Sequence, residues 1–256
     1  MNVTEVTEVQ DRGPAAYIAE FIGTLLLVFF ITAVVSLYVT TPTQQNPNPF
    51  IDFSVVGLVH VFLLFGLIQT LAVISGAHFN PAVTAAMAAL RQIGPIDAAI
   101  YVVAQLAGGV AGALLTKALL LDEGEGVNYG AVAVSSRLDG AIFPGMVVEA
   151  LGTFFLVWVI FGVAVNPRAA KDWAALAIGA ALGTGVMVFG PLTGAGFNPA
   201  RAFGPAIVSG EFGGADNFLL VYVLAPVVGA LVAGFLYFYL VITPGKKGVG
   251  GVEPVG

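Results

Sequence analysis

Cysteine is absent from the 256-residue chain, which excludes disulfide staples and thiolate-bound metals. Charge is almost as scarce. Asp, Glu, Lys and Arg make up 9% of the residues, against roughly 25% in an ordinary soluble domain. That is too little to cover a water-soluble globule, so a soluble enzyme and a nucleic-acid-binding protein are both poor matches. The net charge of −6 is also the wrong sign for holding a polyanion. The sequence offers no nucleophile with a base, no cluster with metal-ligand spacing and no glycine-rich phosphate loop. It therefore points to no enzyme, cofactor or metal.

Apolar length is what the chain has instead. Hydrophobic residues reach 58%, and the mean hydropathy is +0.96. A helix needs ~20 mostly apolar residues to span a bilayer, and six stretches qualify: 15–39, 53–74, 96–121, 143–165, 173–189 and 217–242. Polar or turn-forming runs bound them, among them TPTQQNPNPF (41–50) and LDEGEGVNYG (121–130). The polar opening MNVTEVTEVQDRG has no basic region followed by an apolar core, so no cleaved leader is expected. Glycines such as Gly66, Gly108, Gly112, Gly183 and Gly229 read as points of close helix approach.

Two segments are apolar but too short to cross: SGAHFNPAVTAAMAAL (75–90) and TGAGFNPARAFGPAIV (193–208). Each opens with a polar glycine turn and an Asn-Pro pair, then continues for about one half-crossing, which predicts re-entrant half-helices. Pro81 and Pro199 suit the first helical position, where a missing N–H costs nothing. Asn80 and Asn198 fall at the N-caps. Basic residues set the orientation. With the N-terminus in the cytoplasm, Arg12, Arg91, Arg168, Lys171, Lys246 and Lys247 all lie inside, and both termini are cytoplasmic.

The chain also repeats itself. AEFIGTLLLVFFI (19–31) returns as VEALGTFFLVWVI (148–160), aligning Glu20 with Glu149, and SGAHFNPAVTA (75–85) returns as TGAGFNPARAF (193–203). Three spans per half is an odd number, so the second half runs through the membrane inverted. Inverted repeats build transport proteins with a site near the midplane, at the repeat interface. Two half-helices entering from opposite faces would bring Asn80 and Asn198 together at the bilayer centre. Each N-terminus carries roughly half a positive elementary charge. Such a centre passes small neutral molecules and repels cations. Glu20 and Glu149 allow a second reading, as the proton-coupling carboxylates of a secondary transporter. Their equivalent placement on the first helix of each repeat favours a structural role.

The twin motifs Asn80-Pro81-Ala82 and Asn198-Pro199-Ala200, the Glu-x-x-Gly-Thr repeats and the ISGAHFNPAVT context together resemble the aquaporin (major intrinsic protein) family, over about residues 15–242. The resemblance implies an all-α membrane protein: a right-handed bundle of six transmembrane helices plus two re-entrant half-helices. It implies a single channel domain at 15–242 (repeats about 15–121 and 143–242), with a cytoplasmic tail at 1–14 and a flexible one at 243–256. Homotetramers with one pore per subunit, in the plasma membrane, are also implied. The partners would be the lipid bilayer, water and small neutral solutes, with no nucleic acid. In the family the equivalents of Glu20 and Glu149 brace the re-entrant loops through backbone N–H groups.

Carried over by motif spacing, the family's four constriction positions become His60, Val186, Ala195 and Arg201. An intramembrane arginine is costly and by default functional. His60 reads either as a pore residue or as a satisfied core histidine, and His78 either lines the inner vestibule or buttresses the loop. Tyr129, in an outer loop, is a candidate further filter residue. Strict water channels place an aromatic and a His where this chain has His60 and Val186. Glycerol facilitators carry Asp after the arginine, where this chain has Ala202. A His paired with an aliphatic residue, and the run Gly190-Pro191-Leu192-Thr193-Gly194, are most similar to the tonoplast intrinsic subgroup. That pattern implies a water channel that also leaks small polar neutrals: ammonia first, and urea or hydrogen peroxide besides. A glycerol facilitator is the alternative.

Overall fold

A computed structural model describes residues 12–39 and 52–243 of the chain. The tails expected at 1–14 and 243–256 lie almost wholly outside the described residues. In chain order the helices are α1 (Pro14–Tyr38), α2 (Phe53–Ser75), α3 (Pro81–Ala89), α4 (Pro95–Leu119) and the one-turn α5 (Leu121–Glu125). They continue with α6 (Ile142–Val165), α7 (Ala174–Thr193), α8 (Pro199–Ser209) and α9 (Ala215–Ile242). Among the described residues, six of these are long and apolar enough to cross a membrane, namely α1, α2, α4, α6, α7 and α9. Helices are the open-ended solution in lipid because every backbone polar group is paired within its own segment.

The starts follow local chemistry. Pro14, Pro81, Pro95 and Pro199 each occupy the first turn of a helix. Asp52 caps α2, its Oδ1 accepting from the N–H groups of Ser54 (3.0 Å) and Val55 (3.1 Å). One end departs from expectation: α7 runs past Phe189 to Thr193 and takes in Pro191. The left-handed Gly194 then closes it, its N–H donating to the Gly190 carbonyl at 2.9 Å.

The helices pack through small residues. α1 lies on α4, α2 on α7, α6 on α9, and α4 on α8. At the α1–α4 seam a Cβ on Gly108 or Gly112 would run into the carbonyl oxygens of Phe21 and Leu25. Gly109 and Gly204 let α4 and α8 touch in the same way, and Gly229 does so between α9 and Ala150 of α6. Helix association in lipid depends on such close packing because no hydrophobic drive separates protein from solvent. Gly66 is an exception to the expected pattern: nothing lies within 4 Å of where its Cβ would be. A polar contact, Thr32 Oγ1 to Thr116 Oγ1 at 2.6 Å, reinforces the α1–α4 seam.

Candidate functional site

The two repeats enter the centre of the bundle by the same local route. α2 ends at Ser75 and α7 at Thr193, each followed by a left-handed glycine, Gly76 (φ 85°) or Gly194 (φ 78°). A short non-helical link then leads to Asn80 and Asn198, which cap α3 and α8. Within these links Ala77, Phe79, Ala195 and Phe197 all hold positive φ, between 48° and 53°. Non-glycine residues adopt this region only when their surroundings fix them.

Two buried carboxylates do the fixing. Glu20 Oε1 accepts from Ser75 Oγ (2.6 Å) and the His78 N–H (2.9 Å), and its Oε2 accepts from the Phe79 N–H (2.6 Å) and Gln105 Nε2 (2.8 Å). Glu149 Oε1 accepts from Thr193 Oγ1 (2.6 Å) and the Gly196 N–H (2.9 Å), and its Oε2 accepts from the Phe197 N–H (2.6 Å). Left without these acceptors, the buried backbone donors of the links would cost about 1–3 kcal/mol each. Tyr101 and Tyr222 complete the parallel, their hydroxyls donating to the carbonyls of Ser75 (2.7 Å) and Thr193 (2.9 Å).

The half-helices meet N-terminus to N-terminus. Asn80 Oδ1 accepts from the Ala82 N–H (2.9 Å) while its Nδ2 donates to the Phe197 carbonyl (2.9 Å). Asn198 Oδ1 accepts from the N–H groups of Ala200 (2.9 Å) and Arg201 (3.3 Å), and its Nδ2 donates to the Phe79 carbonyl (2.8 Å). Each amide thus uses its oxygen to cap its own helix and one N–H to tie down the other repeat. A second N–H on each remains for a guest oxygen. Pro81, Ala82, Pro199 and Ala200 sit behind the tips, all buried.

Two cavities run along this axis. The first, about 280 Å³, is lined by apolar residues such as Leu27, Val83 and Leu156, and by Asn80, Asn198 and the links around Ala77 and Gly196. Lys171 and Gln69 also line it. The second, about 460 Å³, is lined by residues 130–133, Val186, Gly190, Gly194 and Arg137. His60 and Arg201 are the polar side chains that line both. With Val186 on the second cavity and Ala195 on the first, the four residues expected at the constriction converge where the cavities adjoin.

Arg201 is buried, its Nη1 donating to the Gly130 carbonyl at 2.9 Å. His60 Nδ1 lies 2.7 Å from the Val56 carbonyl. A carbonyl only accepts, so Nδ1 carries the proton and, in the uncharged ring, Nε2 is an acceptor. His78 lines the first cavity, and its Nδ1 lies 3.1 Å from Thr84 Oγ1 with its ring edge-on to Tyr101 at 5.3 Å. Lys171, outside the spans, donates to the carbonyls of Val163 (3.3 Å), Ala164 (2.7 Å) and Asn166 (2.9 Å), and partial burial lowers its pKa.

Tyr129 is placed differently from expectation. It lines neither cavity, because its ring turns back over Gly124 and beneath Lys117. Its neighbour Gly130 reaches the lumen instead, through a backbone carbonyl. Sequence reasoning missed Gly130 as well as Gln105, Thr84, Tyr101 and Tyr222. The two tyrosines had a signal, since each lies on the third span of its repeat; an isolated loop glycine had none. Among the described residues, no group of three or more His, Asp or Glu side chains could hold a metal.

Comparison with known proteins agrees with this architecture. The family described as "Major intrinsic protein" matches residues 8–237. Nodulin-26 of Glycine max is 39% identical over 86% of this chain and 75% of its own. Aquaporin AqpM of Methanothermobacter marburgensis is 35% identical over 87% and 96%, and a probable aquaporin TIP2-2 of Arabidopsis thaliana is 36% identical over 87% and 85%. Among solved structures, the aquaglyceroporin of Plasmodium falciparum superposes with a TM-score of 0.75 at 23% identity, covering 92% of this chain and 99% of that one, a likeness of fold.

Proposed function

Given that the chain belongs to the major intrinsic protein family, we propose that it is a passive pore for water which also passes small neutral solutes, ammonia foremost. The observation that carries this reading is the reciprocal tie between Asn80 and Asn198, which faces two helix N-termini across one lumen. A permeating water can accept from the remaining amide N–H groups in the electropositive centre, while a cation meets repulsion there and again at Arg201. Much of the remaining lining is apolar, such as Leu27, Val83 and Leu156, and offers few competing partners, so water keeps to single file.

The solute range rests on the constriction. Val186 and Ala195 are small, and His60 Nε2 supplies an acceptor to the same lumen as the Arg201 donors. Ammonia both donates and accepts, so it can satisfy both sides. Urea and hydrogen peroxide fit the same polarity at larger size. Glycerol is disfavoured, because Ala202 stands where glycerol facilitators carry Asp after the arginine. We further place the protein in the plasma membrane as a homotetramer with one pore per subunit, both termini cytoplasmic, and Glu20 and Glu149 as braces of the re-entrant links.

Stopped-flow measurements on proteoliposomes, under separate gradients of water, ammonia, urea and glycerol, test the proposal. Rapid water and ammonia flux with slow glycerol flux is expected, and His60→Phe should depress ammonia more than water. Water flux with no ammonia flux, unchanged by His60→Phe, would remove ammonia from the proposal. Vesicles that swell no faster than empty ones would remove the pore.

A further inference from the structure

The outer-loop turn at 128–130 holds Tyr129 in a backbone shape that its own residue type does not favour. Asn128 (φ 51°), Tyr129 (φ 50°) and Gly130 (φ 75°) are left-handed in succession, and only the last is a glycine. Two non-glycine residues side by side in this region need outside support.

That support comes from four helices. The Tyr129 ring fills the space above Gly124 of α5, where a Cβ would collide with it, and its hydroxyl donates to the Leu121 carbonyl at 3.3 Å. Lys117, near the end of α4, holds its Nζ 5.1 Å from the centroid of the same ring. The Lys117 ammonium also donates to the Val208 carbonyl, in the last turn of α8, at 3.3 Å. On the other side Gly130 abuts α1, where a Cβ would come within 3.2 Å of Thr32 Cα.

Lys117 therefore joins the turn that holds the Arg201 side chain to the far end of the half-helix that carries Arg201. The bond from Arg201 Nη1 to the Gly130 carbonyl is the one hydrogen bond its guanidinium makes among the described residues, and its buried Nε has no partner. The aim of that carbonyl then decides where the guanidinium sits.

We propose that Tyr129 and Lys117 are positioning residues for the constriction: they clamp the 128–130 turn so that the Gly130 carbonyl pins Arg201 across the lumen, and so set solute selectivity. This rests on reading Arg201 as part of the constriction. Neither side chain meets the permeant. Loosening the clamp lets the guanidinium swing aside, which widens the opening for solutes larger than water and alters the water rate little.

The test uses the full chain in proteoliposomes, with urea as probe and the urea-to-water permeability ratio as readout. Tyr129→Ala and Lys117→Met should each raise that ratio severalfold with water permeability nearly unchanged, while Tyr129→Phe, which keeps the ring beneath Lys117, should preserve it. Arg201→Val should raise the ratio by itself, and in that background Tyr129→Ala and Lys117→Met should add nothing further. An unchanged ratio in both clamp variants, beside a raised one in Arg201→Val, overturns the clamp and leaves the constriction intact. Equal increases with and without Arg201 overturn it too, as general loosening. An unchanged ratio in Arg201→Val removes the constriction reading and the clamp with it. If Tyr129→Ala fails to fold, Lys117→Met decides alone.

Discussion

The ring of Phe79 occupies the space that a Cβ on Gly23 would require, and Phe197 stands in the same relation to Gly152. Each phenylalanine belongs to a re-entrant link and is buried with a left-handed backbone; each glycine lies on the first helix of its repeat. The Gly-Thr pair that recurs in both halves is thus the socket into which the link is pressed.

Gly23→Ala should consequently displace the Phe79 ring and the link behind it. Overpacking of this kind costs about 1–3 kcal/mol. A lowered unfolding temperature in detergent, with a smaller loss for Gly66→Ala where the Cβ meets open space, is the expected measurement.

Replacing a brace carboxylate should be harsher than its size change suggests. In Glu149→Gln one acceptor oxygen becomes an N–H2 group facing donors, leaving the Phe197 N–H or the Thr193–Gly196 pair unsatisfied. Each donor left unpaired in such a buried site costs about 1–3 kcal/mol. Thermal unfolding should register it, and yield of folded protein should drop in parallel. Glu20→Gln should behave alike, since four donors converge on Glu20.

Asn80→Ala removes an N-cap and a tie between repeats in one step. The Ala82 N–H loses its side-chain partner, and the Phe197 carbonyl keeps only the long contact from Thr153 Oγ1 at 3.5 Å. Loss of an N-cap costs about 0.5–2 kcal/mol, so a folded protein with lower stability and reduced water permeability is expected, measured by unfolding and stopped-flow swelling on the same preparation.

Arg201→Val should relax the electrostatic barrier without closing the lumen. Water flux should persist, and a pH-sensitive dye trapped in vesicles should report a proton leak above that of the unaltered protein. An undiminished barrier would shift the exclusion of protons wholly onto the facing half-helix tips.

Much of this fold could be read from the chain because the bilayer permits so few solutions. Apolar length marks a span directly, and the two Asn-Pro motifs mark helix starts too short to cross, so the six spans and two half-helices stand close to where the sequence put them. His60, Val186, Ala195 and Arg201, picked out by motif spacing, line the two adjoining cavities. Pro191 misleads as an end signal because it falls in the final turn of α7, where the next residues still close the helix on Gly194. Tyr129 misleads for another reason. Its loop position is legible, but the direction of its side chain depends on two left-handed residues and on Lys117 from a different helix.

Membrane insertion, the inverted duplication and the capping asparagines were therefore written in the sequence, because each depends on local composition or on a pattern repeated along the chain. The tertiary structure alone decided which carbonyl holds Arg201, and that Gln105 joins Glu20 while Glu149, among the described residues, has no such amide partner. Those contacts join residues far apart in sequence at distances near 3 Å, and no periodicity along a single helix encodes the rotation and depth at which two helices meet.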